Sequence, residues 1–313
     1  MFDRKIDPRG SLRSPLGVGR SGFTLIELLV VISIMAILAT LTIAFFPNAA
    51  SAQREARAAM LVQGWLNIAK QRALRDRVPF GLRLIQDPSP TFPGLLQVIE
   101  CQYIQQPDDF TGGTVATKYV GLVPQLDTLV FPTGVDLLNG HLPINYAEQR
   151  FWSVQVGDSI ELLGTGLVRQ IPINGIITQN EIQVSPPLPY PIMVPTTSYR
   201  IIRSPRPAGE EKLSLPDSTI IDIQTNVTYN SPLPPTDPMA GSGFADILFG
   251  PSGQVVSRNV ATANIHLWIR SPNQDFPTDA FRGDPTIISV FVRSGFIGAY
   301  PPDRSLTPYA LVK

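Results

Sequence analysis

The chain has 313 residues with 31 prolines, 24 glycines, one cysteine and no net charge. The single Cys101 excludes an internal disulfide and any cysteine-based metal cluster. The zero charge hides an asymmetry: residues 1–78 carry eleven Lys and Arg against five Asp and Glu, and residues 79–313 carry fourteen against twenty. So acidic a body argues against nucleic acid as the main partner, because phosphate binding rests on clustered cations.

The chain opens on a basic leader, residues 1–22, with Arg4, Lys5, Arg9, Arg13 and Arg20 against Asp3 and Asp7. From Phe23 to Phe46 it is apolar apart from Glu27, and long enough to cross a bilayer as a helix. Only Arg54 and Arg57, with Glu55 between them, follow closely, so the positive-inside bias keeps residues 1–22 in the cytoplasm and sends the body across. Glu27 is the anomaly, since a carboxylate in hydrocarbon costs a few kcal/mol. A cleaved signal peptide finds an A-x-A site at Ala50-Ser51-Ala52, releasing a chain from Gln53, but the run exceeds the ~7–15 apolar residues of such a core. A plain signal anchor fits the length and leaves Glu27 unexplained.

The string Gly22-Phe23-Thr24-Leu25-Ile26-Glu27, followed by Leu28-Leu29-Val30-Val31-Ile32, resembles the type III signal of type IV pilins and type II secretion pseudopilins. The resemblance implies cleavage after Gly22 and N-methylation of Phe23 by the prepilin peptidase/methyltransferase. It also implies a single pass through the bacterial inner membrane, and assembly with other pseudopilins or pilins through the N-terminal helix. Cleavage would create an α-amine on Phe23, cationic below a pKa of about 8. Glu27 could then face that amine on a neighbouring subunit. At ~4 Å and an effective dielectric near 20 the pair attracts by roughly 4 kcal/mol, which offsets much of the desolvation.

Pro47 predicts a kink, and residues 48–77 read as a second helical half with Leu61, Trp65 and Ile68 as its core stripe, flanked by Val62, Leu66 and Ala69. Arg54, Arg57, Lys70, Arg72, Arg75 and Arg77 take much of the remaining surface as a solvated face, and Val78-Pro79 ends the helix. Short alternating runs follow at 80–85, 95–99, 218–224, 245–249, 254–257, 264–269 and 286–292. The Leu215-Pro216-Asp217 turn, the Phe249-Gly250-Pro251-Ser252-Gly253 turn and the final paired runs resemble the H-type minor pseudopilins and FimT/FimU-like minor pilins.

Residues 104–210 have no place in that compact head. They predict strands at 119–123, 128–131, 152–156, 159–163, 167–173, 176–178, 182–184 and 199–202, with a hairpin at Asn174-Gly175. The expected fold is therefore α+β. A long N-terminal helix, transmembrane over 23–46 and amphipathic over 47–78, packs on an antiparallel β head formed by 79–103 and 211–313. A β-rich subdomain is inserted at 104–210 and is the expected place for contacts with secreted cargo or other partners.

No catalytic site and no cofactor are expected. His141 and His266 are the only histidines, and Gly250-Pro251-Ser252-Gly253-Gln254 lacks the last glycine of a nucleophile elbow. Asp108-Asp109 lacks the spacing of a calcium loop. An adhesive or DNA-uptake minor pilin stays open through a patch of Arg200, Arg203 and Arg206. A membrane-tethered binding protein or enzyme, using the helix only as an anchor, stays open too.

Overall fold

The computed structural model describes residues 23–45, 49–88, 97–140, 152–164, 170–193, 197–222, 243–257, 264–272, 285–303 and 309–312. The side chains of 41–45 and 49–52 fall outside that description, as do the leader, Gly22, Pro47 and His141. Two compact units result, Met1–Ala49 and Ala50–Lys313.

The first unit contributes α1, Leu25–Phe45, whose one charge is Glu27. Leu, Ile, Val and Met lie on all its sides and are exposed, a distribution that suits lipid or neighbouring helices rather than water. Among the described residues no helix is long and apolar enough to cross a membrane. The described side chains stop at Thr40, and the sixteen residues from Leu25 fall short of a span. The whole of α1 is 21 residues, or about 31 Å at 1.5 Å per residue, against a hydrocarbon core of about 30 Å.

The second unit opens at the second residue of α2, Ala49–Asp76. It ends where Arg77 takes a left-handed φ of 56°, the position after a helix that glycine usually fills. The core stripe differs from the predicted one. Ala58, Ala59, Val62, Leu66, Ala69 and Ala73 are buried, Trp65 is half-buried, and Leu61 and Ile68 are exposed. The sheet beneath supplies most of the bulk through Leu82, Leu84, Ile247, Leu267, Ile269, Ile288 and Val290, and the helix meets it with four alanines beside Val62, Leu66 and part of Trp65, while Leu61 and Ile68 fall outside the contact. Arg72 also departs from the solvated face, lying over the rings of Phe80 and Tyr103 at 5.2 and 5.1 Å.

That sheet has eight strands: β1 (Phe80–Gln86), β2 (Gln97–Gln105), β9 (Arg206–Ser214), β10 (Ile220–Asp222), β11 (Phe244–Phe249), β12 (Ile265–Arg270), β13 (Thr286–Val290) and β14 (Ile297–Tyr300). The order is β11-β1-β2-β10-β12-β13-β14, with β9 beside β2, and every pairing is antiparallel. β9 was not among the predicted strands; it carries Pro207 and lies at an edge, where a missing N–H is tolerated. The run 254–257 forms only an isolated bridge, Val255 to Phe249.

Between β2 and β9 the chain makes a closed barrel. Its strands are β3 (Phe110–Val120), β4 (Val123–Val130), β5 (Ser159–Leu162), β6 (Ile171–Thr178), β7 (Glu181–Val184) and β8 (Thr197–Ile202), in the order β3-β4-β7-β6-β5-β8. Closure removes the sheet edges. The interior is filled by Phe110, Leu129, Phe131, Ile160, Ile173, Ile182 and Tyr199 among others, with the Phe131 and Tyr199 rings edge to face at 4.7 Å. Three predictions fail here. Residues 119–123 are a hairpin tip, residues 152–156 form no strand, and Asn174-Gly175 lies inside β6 rather than at a turn. The register of β6 on β7 shifts between Ile173 and Gly175, and a Cβ on Gly175 would meet the Gln183 side chain at 3.3 Å. The glycine serves a bulge, and the turn falls at 179–180.

Candidate functional site

Thr24 starts α1 as its N-cap: its Oγ1 accepts the Glu27 backbone N–H at 3.3 Å, and its carbonyl accepts the Leu28 N–H at 3.2 Å. Thr24-x-x-Glu27 is the capping-box pattern, which places a carboxylate in the first turn where the helix dipole favours negative charge. Thr24 was not singled out from the sequence, although that spacing signals it. Phe23 and Glu27 are both exposed.

Two other described polar side chains of this helix are satisfied locally. Ser33 Oγ donates to the Leu29 carbonyl and Thr40 Oγ1 to the Ile37 carbonyl, each at 2.8 Å. Among the described residues the Glu27 side chain makes no hydrogen bond or ion pair. An otherwise apolar surface thus presents one carboxylate, a helical turn from Phe23.

The other candidates among the described residues are engaged in packing, hydrogen bonds or ion pairs. Arg200, Arg203 and Arg206 form no surface patch. Arg203 is wholly buried and Arg206 nearly so, while Arg200 pairs with Glu161 at 2.6 Å. Arg203 donates to the carbonyls of Trp152 and Ser153, and burial pulls its pKa down to about 10. The Asp158 carboxylate accepts from Ser204 N and Oγ at 2.7 Å each, from Gln155 N at 2.9 Å and from Arg206 at 3.0 Å. From the head side, Arg83 forms a bidentate pair with Asp246 and donates to the Pro205 carbonyl at 3.0 Å. The link 203–206 is thereby clamped by the barrel on one side and the head sheet on the other. Sequence reasoning assigned Asp158 no role.

Asp109 lies 3.7 Å from Arg200, and among the described residues no group of acids, histidines or cysteines could hold a metal ion. His266 is buried with Nδ1 2.7 Å from Ser289 Oγ and its ring stacked on Tyr309, and burial lowers its pKa to about 4. The Gly250–Gly253 turn packs on α2: a Cβ on Gly253 would meet Lys70 Cε at 3.1 Å.

Residues 19–43 match the prokaryotic N-terminal methylation motif. No curated protein matches the chain. The matched motif is the signal of type IV pilins and pseudopilins and supports a pilin-like chain. It implies anchoring in the membrane by the N-terminal helix, processing by prepilin peptidase, and assembly with other pilins.

Proposed function

We propose that the protein is a minor pseudopilin of a type II secretion system, helping to initiate or cap a short filament of pilin-like subunits. Gly22 marks the cleavage point, Phe23 supplies the methylated amine, and Glu27 sets register by meeting a neighbour's amine. The role is assembly rather than catalysis. The head would lie in the periplasm or on the filament, and the subfamily is the H-type minor pseudopilins. The observation that carries this reading is Glu27 itself: an exposed carboxylate without a described partner, on an apolar helix headed by the methylation motif. A DNA-uptake role is disfavoured because Arg203 and Arg206 are buried.

Two measurements test it. Mass spectrometry of the mature protein should find a chain starting at N-methylated Phe23; a start at Gln53 or an intact Met1 would sink the proposal. Glu27→Ala should leave the protein in the membrane while abolishing its recovery in sheared filaments. Full incorporation of that variant would show that the helix serves only as an anchor.

A further inference from the structure

Two barrel strands outrun the barrel. β3 pairs with β8 from Phe110 to Val115, and β4 pairs with β7 from Thr128 to Val130. Beyond those limits the residues 118–125 pair only with each other, Lys118 opposite Gln125 and Val120 opposite Val123. The outer end is a two-stranded finger about 10 Å long from Lys118 to its tip, at about 3.3 Å per residue.

The tip is apolar on all sides. Val120 is 60% exposed, Val123 61% and Leu122 97%, with Tyr119 on the flank. Backbone geometry does not require this. Gly121, at φ 64°, opens the two-residue turn and takes the position that needs glycine. The second turn position accepts any residue and usually holds a polar one, yet it holds Leu122. At the base of the finger Lys118 is neutralised by Glu181 at 2.7 Å.

We propose that the 118–125 finger is a second membrane contact, seating Val120, Leu122 and Val123 in the lipid of a bilayer surface with Tyr119 at headgroup level. The finger is convex and offers no groove. Its exposed apolar tip is only Tyr119, Val120, Leu122 and Val123, whereas a specific protein interface takes roughly 20–30 residues from each partner. A fluid bilayer needs no complementary shape. The length matches the ~5–10 Å to which interfacial apolar groups sink, and a tyrosine beside the apolar tip is the usual interfacial arrangement. Because α1 already holds the chain at a membrane, a weak second contact acts at high effective concentration. With its base charge neutralised, the finger should bind without regard to salt or anionic lipid.

This inference rests on membrane anchoring and not on filament assembly, so a failure of the Glu27 experiment leaves its test intact. Cys101 is wholly buried and burial pushes its thiol well above the usual range, so an introduced cysteine can be labelled alone. The full chain carrying Leu122→Cys, labelled with an environment-sensitive dye, is reconstituted into phosphatidylcholine vesicles. Thr133→Cys, exposed beyond the far end of β4, serves as control. The dye at 122 should shift to the blue and lose intensity when the lipids carry a spin label near the headgroup, at low and high salt alike, while the dye at 133 does neither. Emission at 122 that stays water-like, or matches that at 133, overturns the proposal. A blue shift without lipid quenching overturns it too, since protein would then surround the finger.

Discussion

Gly295 shows how narrowly one position can be constrained. It adopts φ 60° after β13, and a Cβ there would lie 1.7 Å from the Gly253 carbonyl oxygen. Lys70 fastens the same turn by donating to the carbonyls of Ser294 and Gly295 at 3.2 and 2.9 Å. Gly295→Ala should lose about 2 kcal/mol or more of stability, from left-handed strain and from displacement of the neighbouring turn. Gly64, on α2, is the contrasting control. A Cβ there meets nothing within 4 Å, so Gly64→Ala should gain up to about 1 kcal/mol of helix propensity. Urea unfolding followed by circular dichroism separates the two. At this scale the sequence was most legible where the signal is local. The methylation motif over residues 19–43 is one short string, and Thr24 was readable by the same local rule. The constraint on Gly295 depends on Gly253, forty-two positions earlier, and spacing alone could not reveal it.

Among the elements, helices and strands were legible as types but not always in their contacts. The α+β class and the antiparallel head follow from period and turn chemistry. The buried face of α2 does not, because the sheet decides whether alanine or leucine meets it. Asn174-Gly175 has hairpin composition, yet cross-strand register placed it in a bulge. The link 203–206 is the clearest case of long-range control. Asp158 is wholly buried and compensates Arg206 and the amides around it. Asp158→Ala should therefore cost about 3–5 kcal/mol, because removing one partner strands a buried cation. Chemical denaturation should show the midpoint falling, with Asp158→Asn intermediate, since the amide keeps part of the hydrogen bonding but not the charge.

For the second unit as a whole, the barrel is an excursion from the head sheet rather than an extension of it. β2 and β9 are antiparallel neighbours, and Gln105 stands opposite Arg206 where the chain departs and returns. Partners across an antiparallel pair are about 5 Å apart, a gap that a two-residue turn bridges. Replacing 106–205 by Asn-Gly, with Arg206→Thr to remove the cation that loses Asp158, should leave a head that still melts cooperatively. Melting without a transition would show that the barrel is needed to hold the head together. The joint has a consequence beyond folding. A frame that opens and recloses at one pair works as a socket. What is plugged into it can be exchanged or lost over evolutionary time while α2 and the sheet keep their places, so the tool can diversify faster than its handle.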